Sequence, residues 1–168
     1  MKAIILFETK YGSTQVYSEW LSREMGYPAV HYKGFDLDDL HLFERIVIGS
    51  SVHMSKLDIA PWLKRHWKLL SEKDVILFSV NGTPPDDTNE LQNILDYSLP
   101  RHIQEEIAYF PLQGRLVFSE LNLWDKLLLY MLKRMNKQPA KNFVLEDYDN
   151  VKKENLTYLK RYLQKVEI

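Results

Sequence analysis

The sequence predicts an α/β fold in which five parallel strands form one sheet between layers of helices. Strand-like and helix-like segments alternate along the chain, which is the pattern of parallel strands joined by right-handed helical crossovers. The first strand segment, residues 3–7, is an apolar run without alternating polar residues, as expected of a strand that is covered on both faces. Five such strands suit the order 2-1-3-4-5, which places a ligand site beyond the carboxyl ends of the strands.

The predicted elements follow from apolar runs, helical periodicity and helix-ending residues. Gly26 and Pro28 end the first helix, and Pro100 ends the third. On the first helix, Val16, Trp20 and Leu21 are predicted to share the buried face. The strands are predicted at residues 3–7, 29–32, 45–49, 75–80 and 112–118. The helices are predicted at residues 13–25, 59–70, 89–99, 123–135 and 151–166, with Leu156, Leu159, Leu163 and Val166 on one stripe of the last.

Length, composition and charge exclude several classes of function. We expect residues 1–168 to form a single domain, because this length suits one domain with a sizeable core. A net charge of −1 gives no long-range attraction to nucleic acid. The absence of cysteine excludes disulfides and iron–sulfur ligation. The five histidines lack metal-ligand spacing, so we expect no metal site.

The amino terminus and the apolar segments predict a cytoplasmic protein. The first residues lead directly into a strand and have no feature of a signal peptide. No uninterrupted apolar run approaches the roughly 20 residues that a membrane-spanning helix needs.

Three polar loops follow strands one, three and four and should therefore meet at the same edge of the sheet. Their convergence indicates one ligand site. The candidate binding residues are Thr9, Lys10, Tyr11, Gly12, Ser13 and Thr14 in the first loop, Ser50, Ser51, Val52, His53 and Met54 in the second, and Asn81, Gly82 and Thr83 in the third.

The first loop has the composition of a phosphate-binding site. Backbone N–H groups and short hydroxyls at the start of a helix can hold a phosphate without a metal or a lysine. Gly12 permits close approach of the backbone, and Ser13 and Thr14 add hydroxyl donors. The alternative is that Ser13 or Thr14 is only a helix cap.

Other ligands of the same fold find less support in these loops. A receiver domain needs clustered acids after strand one and a phosphorylatable aspartate after strand three, whereas the chain has only Glu8 and then Gly49-Ser50-Ser51. Glycine-rich dinucleotide and P-loop motifs are absent. A Gly-x-Ser-x-Gly nucleophile elbow is absent as well.

The first loop, Thr9-Lys10-Tyr11-Gly12-Ser13-Thr14, resembles the Thr/Ser-x-Thr-Gly-x-Thr phosphate loop of flavodoxins, with Tyr11 at the third position. This resemblance covers nearly the whole chain. It implies a flavodoxin-like three-layer sandwich that binds flavin mononucleotide (FMN), with the second and third loops around the isoalloxazine ring. His53 and Met54 are then the candidates for ring contact, and His53 either positions a substrate, tunes the flavin charge or is a solvated loop residue.

A second resemblance concerns residues 114–140. Trp124-Asp125-Lys126 and Met131-Leu132-Lys133-Arg134-Met135 are similar to a segment of the menaquinone-dependent protoporphyrinogen oxidases, as is the basic Lys10. The resemblance implies that FMN takes a hydride from a tetrapyrrole-type substrate and passes electrons to a quinone. Thr9-Lys10-Tyr11-Gly12 departs from the Thr-Arg-Asp-Gly usual in that family, which leaves room for another substrate.

The predicted helix 123–135 is apolar over most of its circumference. It is either a core helix over the last strand or a docking surface for a quinone, a tetrapyrrole or the inner face of the membrane. In the second case its cations would meet anionic headgroups or propionates. These cations are Lys126, Lys133, Arg134 and Lys137, with Lys56 and Arg115 as further candidates.

Overall charge favours an enzyme over an electron carrier. Shuttle flavodoxins are strongly acidic, which steers them to basic redox proteins, whereas this chain has 22 basic and 23 acidic residues. Two alternatives remain open. One is an electron-transfer protein with a redox-protein partner and no organic substrate of its own, and the other is an interaction protein that has lost FMN. The sequence is compatible with an oligomer.

Overall fold

The computed structural model describes residues 1–135 and 147–165, and gives eight strands and six α-helices in these ranges. The strands are β1 (Ala3–Phe7), β2 (Ala29–His31), β3 (Arg45–His53), β4 (Lys56–Leu57), β5 (Asp74–Asn81), β6 (Ala108–Gln113), β7 (Arg115–Leu116) and β8 (Tyr148–Asp149). The helices are α1 (Ser13–Met25), α2 (Ala60–Leu70), α3 (Thr88–Ser98), α4 (Arg101–Glu106), α5 (Leu123–Met135) and α6 (Thr157–Lys165).

Five strands form a parallel sheet in the order β2-β1-β3-β5-β6, so the predicted fold class and order are confirmed. The structure adds β4, a short strand that pairs antiparallel with the end of β3. It also adds an antiparallel ribbon of β7 and β8 beside the main sheet.

Two hydrophobic cores lie on opposite faces of the sheet, which makes the fold a three-layer sandwich. Alternate residues of β1 face opposite cores, because successive strand residues point to opposite faces. Ile4 and Leu6 belong to the core that includes residues of α2 and α3. Ile5 belongs to the core that includes residues of α1 and α6. The helices thus fix the sheet from both faces and leave its carboxyl edge to the loops.

The predicted buried face of α1 was wrong in part. Leu21 is fully buried, but Val16 is 36% exposed and Trp20 is only half-buried. The other buried residues of α1 are Thr14, Tyr17 and Ser18. Thr14 and Ser18 are small polar residues that a search for apolar periodicity passes over.

The fifth sheet strand was predicted too late in the chain, at 112–118. It is β6, Ala108–Gln113, and it carries Pro111. A proline inside a strand is tolerated at the edge of a sheet, where one N–H need not join the ladder, and β6 is an edge strand. Helix α4, which begins directly after Pro100, was not predicted.

The last helix begins later than the predicted residue 151, because a 3-10 turn at Lys153–Leu156 precedes α6. Leu156, Leu159 and Leu163 are fully buried, as the predicted stripe requires. Val166 and Lys137 lie outside the described residues. In the described ranges, no helix combines the length and apolar character needed to cross a bilayer.

Candidate functional site

A cavity of about 230 Å³ opens where the three polar loops meet at the carboxyl edge of the sheet. Ten of the fourteen candidate binding residues line it. They are Thr9, Tyr11, Ser13, Thr14, Ser51, Val52, His53, Met54, Asn81 and Gly82. Lys10, Gly12, Ser50 and Thr83 do not line the cavity, although each belongs to one of the loops that enclose it.

The first loop leaves the amino terminus of α1 open to the cavity. Gly12 is the residue before the helix, and its φ of 88° is a left-handed conformation that suits glycine. Its N–H donates to Thr9 Oγ1 at 3.0 Å. No side chain caps α1, so N–H groups of its first turn are free to bind an anion.

Thr14 is a buried residue whose hydroxyl has no protein partner. The residue is 1% exposed, lines the cavity, and its Oγ1 makes no hydrogen bond in the described structure. A buried hydroxyl without a partner is unfavourable by about 1–3 kcal/mol. An anionic oxygen bound in the first turn of α1 would satisfy it.

The second loop is a β-hairpin rather than the predicted polar loop, because β3 continues to His53 and pairs with β4. Its two turn residues, Met54 and Ser55, have φ values of 51° and 56°. Positive φ at both positions is the geometry of tight hairpin turns that match strand twist. The Ser55 hydroxyl donates to Glu90 at 2.7 Å, which fastens the turn to α3.

Within this hairpin, Ser50 and Met54 have different positions. Ser50 is fully buried, and its Oγ accepts a hydrogen bond from the N–H of Ile59 at 3.2 Å, so its role is to shape the backbone. Met54 is 70% exposed at the mouth of the cavity. It is therefore available to cover a ligand.

A chain of polar side chains joins the first loop to the hairpin. The Ser51 hydroxyl donates to Glu8 and also lies 3.2 Å from Asp58 Oδ2. Asp58 in turn holds Nδ1 of His53. The ring centroids of His53 and Tyr11 are 6.2 Å apart. These contacts fix His53 at the cavity and connect it, through Asp58 and Ser51, to Glu8.

The third loop is shaped by Asn81 and by β6. Asn81 Oδ1 accepts from the N–H of Thr83 at 2.9 Å, and its carbonyl accepts from the N–H of Gly114 at 2.8 Å. Gln113 Nε2 donates to the carbonyl of Thr83 at 2.6 Å. Thr83 is thus held by its backbone at the side of the loop, away from the cavity lining.

Tyr148 brings an aromatic ring to the third loop. A methyl group added at Gly82 would lie 2.1 Å from the Tyr148 hydroxyl. The absence of a side chain at Gly82 therefore lets Tyr148 pack directly on the loop and line the cavity. Burial raises the pKa of the Tyr148 phenol, so the ring stays neutral around neutral pH.

We expect Gly82→Ala to displace Tyr148 and weaken ligand binding in the cavity. Because the clash is with the end of a flexible side chain, the folding free energy should change by less than about 1 kcal/mol. The measurement is FMN affinity by fluorescence quenching, with an expected loss of about tenfold. Adding Tyr148→Phe removes the clashing oxygen, and the double variant should recover most of the affinity. Equal affinities of Gly82→Ala and the wild type would contradict this contact.

Helix α5 is attached to the first loop through Asp125. Lys10 Nζ lies 2.7 Å from Asp125 Oδ2, and the Tyr11 hydroxyl donates to the same carboxylate. Arg115 adds a 3.4 Å hydrogen bond to the Tyr11 carbonyl. Burial disfavours the ionised form of Asp125, but hydrogen bonds from Lys10 and Tyr11 outweigh it and lower the pKa of Asp125.

The attachment of α5 should weaken in acid. Because the folded-state pKa of Asp125 is lowered, its contribution is present above the ordinary carboxyl pKa and is lost as pH falls through the folded value. We expect amide protection factors in α5 to fall in the wild type as the pH is lowered below the ordinary carboxyl pKa. Asp125→Asn should show low protection already at neutral pH. Glu105→Gln, which removes a remote ion pair with Arg101, is the control. A pH response in Asp125→Asn equal to that of the wild type would contradict this role.

The two sides of α5 have different environments. Asp125, Leu128 and Leu129 line the cavity. The other side is exposed to solvent, so α5 is not a core helix. Its exposed residues are Leu123 (84%), Trp124 (79%), Leu127 (49%), Tyr130 (59%) and Met131 (51%). An exposed apolar surface of this kind is typical of an interaction site.

Sequence reasoning missed much of the far wall of the cavity. The sequence analysis named Asp125 as part of a motif and Arg115 as a further anion-binding candidate. It did not predict that either residue contacts Tyr11. Tyr148 gave no local signal, because only the β7–β8 pairing brings it to Gly82. The other unpredicted lining residues are Val80, Gly114, Leu116, Val117, Glu120, Leu121, Leu128 and Leu129. Among residues 1–135 and 147–165, no group of three or more His, Asp or Glu could hold a metal ion.

Comparison with known proteins identifies a family. A family model described as a flavodoxin domain matches residues 4–142. Solved structures of similar shape include a flavodoxin from the domain Archaea, at 16% identity, covering 68% of this chain and 85% of that chain with a TM-score of 0.43. A WrbA-like flavodoxin from Agrobacterium tumefaciens has 15% identity, coverage of 74% and 87%, and a TM-score of 0.48. Oxidised Flavodoxin 1 from Bacillus cereus has 14% identity, coverage of 71% and 89%, and a TM-score of 0.46. No curated protein gives a significant match.

The residues at the cavity fit FMN, the cofactor that this family match indicates. The uncapped first turn of α1 and the unpartnered Thr14 hydroxyl suit the phosphate. The Met54–Ser55 hairpin and the Gly82 loop offer two walls between which a flat ring system can lie.

Proposed function

Because the chain belongs to the flavodoxin domain family, we propose that it is an FMN-dependent oxidoreductase with an organic substrate of its own. In this proposal a tetrapyrrole-type donor gives a hydride to the cofactor, and a quinone receives the electrons. Bound FMN supplies the two-electron redox chemistry. The protein orients donor, cofactor and acceptor and sets the potential of the cofactor.

The observation that carries the proposal is the extent of the cavity beyond the three cofactor loops. It continues to the segment after β6 and to α5, where Arg115, Leu128 and Leu129 line it. A carrier that only exchanges electrons needs an exposed flavin edge and no such additional apolar wall. Apolar walls with a cation at the side suit a largely apolar donor that bears carboxylates.

The cofactor is proposed to bind through the predicted loops. Ser13, Thr14 and the uncapped N–H groups of the first turn of α1 would hold the phosphate, with Gly12 permitting close approach of the backbone and with Thr9 and Tyr11 beside it. Lys10 would act from outside the cavity. Its ion pair with Asp125 would hold Tyr11 and α5 in place. The ring would lie between the Ser51–Met54 side and the Asn81–Gly82 side of the cavity.

Charge supports an enzyme rather than a carrier. With 22 basic and 23 acidic residues the chain lacks the acidic field that steers a shuttle protein to its partners. The alternative, an electron-transfer protein without an organic substrate, predicts reduction in two separate one-electron stages. The enzyme predicts conversion in one two-electron stage.

An anaerobic assay tests the proposal. FMN-loaded protein is mixed with protoporphyrinogen, and loss of the visible flavin absorbance is followed together with porphyrin fluorescence. A water-soluble menaquinone analogue is then added. We expect bleaching of the flavin, with at most one porphyrin formed for every three FMN reduced because the donor loses six electrons, and recovery of the flavin spectrum on adding the quinone. A fully loaded protein that is not bleached by the donor would contradict the substrate class.

We further propose that the exposed side of α5 contacts the inner face of the membrane, where quinones dissolve. Leu123, Trp124 and Leu127 would enter the interface, and Lys126 and Arg134 would face anionic headgroups. The exposed fractions of these apolar side chains support the contact.

Vesicle binding tests this surface. We expect cosedimentation with vesicles rich in phosphatidylglycerol to fall about tenfold in Trp124→Ser, because a large interfacial side chain is lost. Tyr97→Ser removes an aromatic that is 60% exposed on α3 and should leave binding unchanged. Equal losses in both variants would contradict a specific surface on α5.

A further inference from the structure

We propose that His53 is the proton donor for reduction of the quinone in this cavity and that Asp58 positions it. The inference rests on the proposed function, because reduced FMN supplies the hydride. It concerns a hydrogen-bonded pair beside the cavity that cofactor binding itself does not require.

The hydrogen bond to Asp58 fixes which nitrogen of His53 is available. An ionised carboxylate can only accept hydrogen bonds, so Nδ1, which contacts Asp58 Oδ2, carries a proton. Nε2 has no hydrogen-bond partner among the described residues. The side chain lines the cavity and is 28% exposed, so Nε2 can serve a ligand and also recover a proton from water.

Asp58 is itself held in place from β3. Its N–H donates to the Ser51 carbonyl at 3.0 Å, and its Oδ2 lies 3.2 Å from the Ser51 hydroxyl. The Ser51 hydroxyl and the Ser51 N–H both donate hydrogen bonds to the carboxylate of Glu8. A carboxylate fixed in this way holds the imidazole in one orientation and one tautomer.

Titratable groups lie near His53 on several elements, and Asp58 is the one hydrogen-bonded to it. The others are Glu8 after β1, Lys10 and Tyr11 in the first loop, Lys56 opposite His53 in the hairpin, and Asp125 on α5. Lys10 and Asp125 are paired with each other, so their opposite charges largely cancel at His53.

The proposed step balances. The quinone gains a hydride, and with it two electrons, from reduced FMN, which is thereby oxidised. The Nε2–H bond of the imidazolium breaks as an O–H bond forms on the quinone, and the product is the quinol. The neutral imidazole then takes a proton from water.

The test compares two electron acceptors. FMN-loaded protein is reduced anaerobically with dithionite and mixed with a water-soluble naphthoquinone or with ferricyanide, which accepts electrons without protons. We expect His53→Gln to slow reoxidation by the quinone about 100-fold, the usual size of a general-acid effect. Reoxidation by ferricyanide should change little. His41→Gln, an exposed histidine on the turn Leu37–Leu42, is the control and should behave as wild type.

A second measurement isolates Asp58. Nitrogen NMR of the cofactor-free protein should show the Nδ1–H form of His53 in the wild type and a mixture of tautomers in Asp58→Asn. Asp58→Asn should also slow the quinone reaction and spare ferricyanide. A purely structural role of Asp58 would slow both acceptors alike.

The outcomes separate the inference from the function on which it rests. If wild-type protein reacts with the quinone and His53→Gln reacts as fast, the inference alone is overturned. Equal slowing with both acceptors also overturns it. If reduced wild-type protein does not react with the quinone, the proposed function fails and the inference with it.

Discussion

Thr14→Val is expected to weaken FMN binding about 10- to 150-fold while making the cofactor-free protein more stable. The lost hydrogen bond is to a charged group, for which a contribution of about 1.5–3 kcal/mol is typical. In the free protein the Thr14 hydroxyl is buried without a partner. Valine has nearly the same shape and removes that unsatisfied group, so the free energy of unfolding should rise by about 1 kcal/mol.

The measurements are FMN titration by fluorescence quenching and urea unfolding of the cofactor-free protein. Thr14→Ser keeps the hydroxyl and is the matched control for affinity. A loss of FMN affinity together with a gain in the free energy of unfolding distinguishes a ligand-binding hydroxyl from a structural one. A Thr14→Val protein that loses stability and retains its FMN affinity would show that the hydroxyl serves the fold.

Gly49→Ala should be among the most destabilising single-methyl changes in this chain. Gly49 lies in β3 between β1 and β5, in register with Phe7 and Phe78. An added methyl would be 2.4 Å from the ring of Phe78, which is fully buried and has no room to move aside. We expect a loss of about 1–3 kcal/mol, the usual range for overpacking a core.

Urea unfolding monitored by tryptophan fluorescence measures this loss. Gly34→Ala is the control, because its methyl would meet only Val30 at 3.9 Å, an ordinary contact. Its midpoint should stay close to that of the wild type. A Gly49→Ala midpoint as high as that of Gly34→Ala would mean that the close approach of β3 to Phe78 is not needed for packing.

The parts of the fold that were predicted correctly are those in which local sequence and tertiary packing agree. Residues 3–7 are apolar throughout and lie between two helical layers, so their pattern predicts β1 with its correct bounds. Gly26, with a φ of 72°, ends α1 where a left-handed residue is needed. Helix α5 was also predicted with its correct bounds.

The errors arise where tertiary context overrides a local signal. Met54-Ser55 lacks the Gly or Asn that usually marks a two-residue hairpin turn, so β4 was missed. The predicted fifth strand began after Pro111, whereas β6 includes it, because proline is tolerated at an edge position that cannot be read from the sequence. For the site, the loops that follow β1, β3 and β5 were predictable from topology. Contacts of Asp125 and Tyr148 depend on the path of the chain after β6 and were not.

Competitive titration with FMN and riboflavin tests the central claim, that the loop from Thr9 to Thr14 holds the phosphate of a flavin. The two ligands share the ring system and differ in the phosphate. We predict one FMN bound per chain and riboflavin weaker by about 100-fold or more, because the charged contacts at α1 are lost. Thr14→Val should reduce this discrimination and leave riboflavin affinity unchanged. Equal affinity for the two flavins, or binding of neither, would contradict the account.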